Sequence, residues 1–399
     1  MGGVKQLSMT ALTAWAALFE SVEPDITVDE RLRGRSLHSL MSPSGAPRLL
    51  ASRGLTMASR PICASAPRTE GPWTELGTLA APWLQRVAAK PSAVHDWGVN
   101  ALVAPPLVAD VWLNAVRAGV VQAVALPSGT HLAALRGSVQ RLDPGGDWTT
   151  VLRLAHGVKP ARGGLLADTQ GRVWLAEYTL NHKRTQTIQL WRSRDDGRSF
   201  EVAHAFDPGA VRHLHFIQQD PIDGSLWIGS GDSDRESGLW RSTDGERWQQ
   251  VGGGSQLWRA IGLAFLPDAV VWGTDAGLDA PHFKNVAVRF DRASGALTTE
   301  AVLQGPVHGV TALPTGRVAL ATGCEGGANE TDGSVHLWLR SETGHWREVA
   351  QWVKGPQPAR MQYAVAHFVP GQVHSLDLWV QLRGTMAMPL GAVRLRLSA

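Results

Sequence analysis

Leu190-Trp191-Arg192-Ser193-Arg194-Asp195-Asp196-Gly197-Arg198-Ser199-Phe200 and Leu239-Trp240-Arg241-Ser242-Thr243-Asp244-Gly245-Glu246-Arg247-Trp248 are one turn written twice, about fifty residues apart. A weaker copy runs Leu337-Trp338-Leu339-Arg340-Ser341-Glu342-Thr343-Gly344-His345-Trp346. Asp and Ser side chains at this spacing bond nearby backbone N–H groups, Gly takes the positive-φ position, and the aromatic closes the hairpin. The turn residues Ser193, Asp195, Gly197, Ser199, Phe200, Ser242, Asp244, Gly245 and Trp248 therefore read as structural. A strand-rich unit repeated at this period predicts a radial β architecture.

Outward from the turns, each unit pairs an apolar inner strand with a second strand across a Gly, Asp or Pro turn. The pairs are Leu165–Ala167 with Val173–Ala176, His215–Ile217 with Leu226–Gly229, Gly262–Phe265 with Val270–Gly273, and Val310–Leu313 with Val318–Ala321. Trp174, Trp227 and Trp272 recur at one position of the second strand, so they read as core. Weaker copies flank these units over Gly119–Leu152 and Tyr363–Leu397, and a further one is assembled from Trp73 to Val103. Such units cannot bury their faces alone, but share a core when arranged radially. The expected fold is an all-β propeller of six or seven blades over residues 73–399, preceded by an irregular N-terminal extension, residues 1–72. That extension is read as disordered or partly helical, with a helix over Thr10–Glu20 and an Arg/Ser/Pro-rich run from Arg31 to Pro72.

Composition agrees with many short strands: 43 Gly, 23 Pro and only 18% charged residues in 399. A net charge of +3 gives no reason to expect a nucleic-acid partner. The two cysteines, Cys63 and Cys324, make no metal-type pair and fit a reducing compartment, so a cytoplasmic location is expected over a secreted one. The apolar stretch Ala101–Leu126 is interrupted by Pro105, Pro106, Asp110, Asn114 and Arg117, so no membrane span is expected. There is no Gly-rich phosphate loop, no zinc-type Cys/His spacing and no Gly-x-Ser-x-Gly elbow.

The turns resemble the Asp-box, or bacterial neuraminidase repeat. Ser193, Asp195, Gly197, Ser199 and Phe200 match it fully, and Ser242, Asp244, Gly245 and Trp248 match a form one residue shorter. His213-Leu214-His215, Asp220-Pro221, Trp227 to Asp232, Gln256 to Ala260, Trp272 to Asp275 and Ala321 to Glu325 are similar to sialidase-like repeat proteins of unassigned activity, described only as candidate glycosyl hydrolases. The resemblance implies a propeller with these turns on the rim away from any active site. True sialidases carry an arginine triad, a Tyr nucleophile with a Glu partner, and an Arg-Ile/Val-Pro segment. Arg212, Arg259 and Arg360 imitate the triad, but the Arg-Ile-Pro segment is missing. Glu177 and Tyr178 are neighbours on a strand and point to opposite faces.

Propeller geometry places the starts of inner strands and the ends of second strands on one face, around a central funnel. At the starts stand Arg162, Arg212, His213, Arg259, His308 and Arg360; at the ends stand Glu177, Asp232, Asp275 and Glu325. Guanidinium and imidazole groups suit an anionic ligand, here an acidic oligosaccharide or polysaccharide bound by Arg162, Arg212, Arg259, His308, Arg360 and Glu177. Asp232, Asp275 and Glu325 are the candidates for the acid and base of glycoside hydrolysis. His213 and His215 lie two apart on a strand and face one way, as a divalent metal would require. The leading expectation is a glycoside hydrolase. The alternatives are a metal-dependent lyase, or a propeller that binds a glycan or protein without catalysis.

Overall fold

The computed structural model describes residues 25–28, 33, 35–39, 48–53, 62–67, 74–79, 121–155, 158–327, 329–359, 362–369 and 377–396. Strand β1 (Asp25–Val28) precedes a four-stranded sheet of β2 (Arg35–Ser39), β3 (Arg48–Arg53), β4 (Ile62–Pro67) and β5 (Thr74–Thr78). Further four-stranded sheets follow in chain order. They are β6 (Gln122–Ala125), β7 (His131–Leu135), β8 (Ser138–Leu142) and β9 (Trp148–Arg153), then β10 (Lys159–Ala167), β11 (Val173–Tyr178), β12 (Ile188–Ser193) and β13 (Glu201–Phe206). Next come β14 (His213–Gln219), β15 (Leu226–Gly231), β16 (Gly238–Ser242) and β17 (Gln249–Gly253), then β18 (Ala264–Phe265), β19 (Ala269–Gly273), β20 (Val286–Asp291) and β21 (Leu297–Val302). The meander β22 (Val307–Ala312), β23 (Val318–Cys324), β24 (Ser334–Arg340) and β25 (Trp346–Val353) joins β26 (Ala364–Phe368), β27 (Asp377–Arg383) and β28 (Leu390–Arg396) through β23–β26 pairing. Every pairing is antiparallel, and β1 returns to pair with β28, Asp25 opposite Arg396. The described residues are all-β with no α-helix, an array of antiparallel four-stranded sheets consistent with a propeller.

Alternation along each strand builds the core between sheets. On β11, Val173 and Leu175 pack with Leu132, Ala134 and Val139 of the preceding sheet. Trp174 and Ala176 face the other way, onto Leu214, Ile217, Leu226 and Ile228 of the following one. Phe216, Trp227 and Leu239 repeat the pattern against Val270, Trp272 and Val288. The recurrent Trp174, Trp227 and Trp272 are all buried, as their repeat positions imply.

The repeated turns connect third to fourth strands. In the first, Ser193 Oγ accepts from Gly197 N at 2.9 Å, while Asp195 accepts from Ser199 N at 2.9 Å and Ser199 Oγ at 2.6 Å. In the second, Ser242 Oγ accepts from Gly245 N at 2.8 Å, and Asp244 from the backbone of Glu246 at 2.7 Å and Arg247 at 2.9 Å. Gly197 and Gly245 hold φ of 76° and 79°, where an L side chain is strained. Phe200 and Trp248 pack against neighbouring core clusters.

Two expectations change. Strands β1 to β4 fall within residues 1–72, which the sequence reading assigned to an extension, and β4 pairs with β5, so one sheet straddles the 72/73 boundary. A four-stranded unit lies over residues 35–78, and of the unit expected from Trp73 to Val103 all but residues 74–79 lie outside the described residues. The Arg and Ser content hid it: in Arg35-Ser36-Leu37-His38-Ser39 a lone apolar residue gives no alternation for strand reading to follow. The expected helix Thr10–Glu20 lies outside the described residues.

Candidate functional site

Strand β14 begins with Arg212 just before it, then His213 and His215, while β15 ends one residue before Asp232. Both imidazoles are buried, 1% and 3% exposed. Their outer nitrogens are fixed by backbone: His213 Nδ1 lies 2.8 Å from Thr179 O and His215 Nδ1 lies 2.9 Å from Ala260 O. A carbonyl only accepts, so each Nδ1 carries its proton, and a neutral ring leaves Nε2 as a bare lone pair. The two Nε2 atoms stand 3.1 Å apart, and Asp232 Oδ1 lies 3.4 Å from the first and 3.5 Å from the second. Burial pushes His213 down to about 4, against the pull of Asp232, so it is neutral at pH 7. Three candidate ligand atoms thus lie within 4.8 Å of one another, a set that could hold a metal ion.

Close approach here depends on glycine. A Cβ on Gly231 would stand 2.6 Å from His215 Cε1 and 3.0 Å from Arg259 Cγ. Gly323 does the same for His308, whose Cδ2 would lie 2.4 Å from an added Cβ.

Asp232 is the hub of the charges. Its carboxylate pairs with Arg212 Nη1 and, at 3.2 Å, with Arg259 Nη2. Burial alone would raise it, but hydrogen bonds and charge from the protonated rings of His213 and His215 hold it well below the usual carboxylate range. Arg259, 6% exposed, also meets Asp279 at 3.0 Å and Asp275 at 3.6 Å. Burial would lower this guanidinium, but Asp275, Asp232 and Asp279 hold it above its ordinary value. Burial pushes Asp275 up, against the pull of Arg259 and His308.

A second group adjoins through Asp275. His308 Nε2 is 3.0 Å from Glu325 Oε1 and 3.9 Å from Asp275 Oδ1, and its ring stacks on Tyr363 at 6.1 Å. Burial would lower His308, but Glu325 and Asp275 hold it above the ordinary histidine value. Arg162 Nη1 lies 2.6 Å from His367 Nδ1, and burial with Arg383 nearby pushes its guanidinium down to about 9.

The structure therefore brings Arg212, His213, His215, Asp232, Arg259, Asp275, His308 and Glu325 into one connected set. Glu177 does not join it: its carboxylate accepts from Gln189 N at 2.9 Å and Trp191 Nε1 at 2.9 Å, turned into its own sheet. Arg360 lies outside the described residues. Tyr178 faces away from Glu177 and stacks on His213 at 4.0 Å between ring centres. Sequence reading missed Asp279, Gln256 and His182, which sit on loops beyond the strand ends. His182 Nδ1 is 3.2 Å from Arg212 Nη2, and Gln256 Nε2 donates to Asp232 O at 2.9 Å. Strand register carries no information on such loops, although the Asp275/Asp279 spacing was a visible signal.

No protein-family profile matches the chain, and no curated protein sequence does. Among solved structures, an oligogalacturonate lyase in complex with manganese aligns over 94% of this chain and 96% of its own, at 11% identity and a TM-score of 0.55. An ancestral GH74 enzyme aligns over 92% of this chain and 44% of its own, at 12% identity and a TM-score of 0.51. At such identities the likeness is one of fold, and both neighbours are β-propeller enzymes. These neighbours support a carbohydrate-related propeller fold and not the sialidase-like, Asp-box resemblance specifically.

Proposed function

We propose that this chain is a seven-bladed propeller enzyme that cleaves an acidic saccharide by metal-assisted elimination. Seven four-stranded units support the blade count: five separate sheets, the meander β22–β25, and β26–β28 completed by β1. The observation that carries the chemistry is the meeting of two Nε2 atoms, 3.1 Å apart, with the Asp232 carboxylate. A divalent cation fits among these three groups when both rings are neutral, with His213, His215 and Asp232 holding it. Bound there, it supplies Lewis acidity toward a sugar carboxylate.

The chain's own residues supply the rest. Arg162, with no carboxylate among its contacts in the described residues, anchors the acidic group of the saccharide. Glu325 accepts the Nε2 proton of His308, which leaves Nδ1 of the neutral ring as proton acceptor. His308 removes the proton on the carbon beside the carboxylate, the electron pair becomes a carbon–carbon double bond as the glycosidic oxygen leaves, that oxygen takes a proton from water, and His308 returns its proton to solvent. Arg212 and Arg259 are already committed to Asp232 and keep it ionised.

Hydrolysis is the second reading, and one observation favours it: burial pushes Asp275 up, as a general acid requires. Asp232, held ionised, is excluded from that acid role. Mass spectrometry of acidic oligosaccharides incubated with the chelated protein, then with added Mn2+, tests both. Metal-dependent fragments whose masses sum to the substrate support elimination. Fragments that gain water move the assignment to Asp275, and an untouched panel that nonetheless binds moves it to a glycan-binding propeller.

A further inference from the structure

The loop between β11 and β12, residues 179–187, holds two non-glycine residues in the left-handed region, Asn181 at φ 27° and Arg184 at φ 53°. Such backbone is strained for an L residue and persists where surroundings over-determine it. Arg184 is what the surroundings grip. Its Nε and Nη2 bond the two carboxylate oxygens of Glu236 at 2.6 and 3.0 Å, a bidentate pair to the next sheet in the chain. Glu236 is 5% exposed, also accepts from Ser233 Oγ at 2.7 Å, and sits in the 3-10 turn Asp234–Glu236.

Each end of this ion pair continues into the candidate metal centre. On the loop side, Thr179 O orients His213, Leu180 O accepts from Arg212 Nε at 2.9 Å, and Asn181 Nδ2 donates to Arg212 O at 3.3 Å. On the other side, the turn containing Glu236 directly follows Asp232, and Ser230 Oγ of β15 donates to Glu236 O. The carbonyl that selects the tautomer of His213 and the turn that follows Asp232 are thus joined by one contact between neighbouring sheets.

We infer that Arg184 and Glu236 are positioning residues that clamp His213 and Asp232 into ligating register. The inference rests on reading His213, His215 and Asp232 as metal ligands. Without the clamp the loop relaxes from its left-handed backbone, Thr179 O withdraws, and the His213 proton is free to move to Nε2, which abolishes that lone pair. Partners that orient metal ligands in this way contribute about 10–100-fold in affinity.

The test is calorimetric titration of the full chain with Mn2+, together with the visible absorption of the Co2+-loaded protein. Arg184→Met and Glu236→Gln are expected to weaken Mn2+ binding by about tenfold or more and to alter the Co2+ band, with Arg184→Lys restoring part of the affinity. Arg340→Met is the control. It breaks a bidentate pair whose arginine is more deeply buried than Arg184, Arg340–Glu300 at 2.7 Å, with no link to the site. It is expected to lower the melting temperature and leave the Mn2+ affinity alone. Parental affinity and an unchanged Co2+ spectrum in folded Arg184→Met and Glu236→Gln would overturn the clamp. A parent chain that binds neither ion would instead overturn the metal reading beneath it.

Discussion

Replacing Arg259 by methionine tests the electrostatic account of the site most directly. The side chain is 7% exposed and faces Asp232 at 3.2 Å, Asp275 at 3.6 Å and Asp279 at 3.0 Å. Asp279 is largely solvated, so its share is about 1 kcal/mol or less. The other two carboxylates are buried, and at an effective dielectric near 20 each attraction is about 5 kcal/mol before desolvation is subtracted. Methionine fills similar volume but leaves Asp275 facing His308 alone, and Asp232 with one arginine fewer. Removing one partner of a buried pair costs about 3–5 kcal/mol. With about 2.1 cal/mol/K of unfolding entropy per residue, a 399-residue cooperative unit would lose roughly 4–6 °C of Tm.

The pH dependence gives a second check with a fixed sign. Asp275 is already pushed up, and without Arg259 it rises further. A carboxyl whose folded pKa exceeds its unfolded value contributes stability at acid pH that is lost as pH rises through the folded value. The deficit of Arg259→Met should therefore shrink as the pH is lowered from neutrality, and Arg259→Met with Asp275→Asn should recover part of it at pH 7. Urea denaturation and calorimetry at several pH values read both effects. A loss under about 1 kcal/mol, independent of pH, would refute the argument that these charges are buried and coupled.

Gly231→Ala puts a methyl group into His215 and should weaken Mn2+ binding by about tenfold or more in the titration, with little change in secondary structure by circular dichroism. His308→Gln should abolish turnover while Mn2+ binding persists; in the parent, activity should rise as pH climbs through the elevated His308 value, as a pH–rate profile will show. Asp195→Ala should cost about 1 kcal/mol at neutral pH through lost side-chain bonds, and leave metal affinity alone. Burial opposes it, but Ser199 and Ser193 hold the Asp195 carboxylate at about 2, so its contribution is complete above the unfolded value and fades as pH falls toward about 2. Unchanged melting with lost metal binding would contradict the structural role of that turn.

Much of this molecule was legible in one dimension because repetition is a one-dimensional property. The turns at Ser193 and Ser242, the second-strand tryptophans and the alternation of Val173–Ala176 each report local backbone geometry, which neighbouring residues determine. Register at strand ends reached far enough to gather His213, His215, Asp232, Asp275, His308 and Glu325 on one face. It also named Glu177, which meets the same register condition, yet the bonds to Gln189 and Trp191 turn it into its own sheet. Which way a strand-end carboxylate turns depends on donors from another strand, and no periodicity encodes them.

Tertiary structure alone decided the rest. The β1–β28 pairing joins residues 25–28 to the far end of the chain, and loop-closure contacts of that span leave no trace in local sequence. The Nε2 atoms of His213 and His215 face Asp232 because carbonyls of Thr179 and Ala260, 34 and 45 residues away, accept hydrogen bonds from the opposite nitrogens. The sequence by itself could say that two histidines share a face. That their Nε2 atoms meet at one carboxylate is a property of backbone oxygens, whose positions only the folded chain supplies.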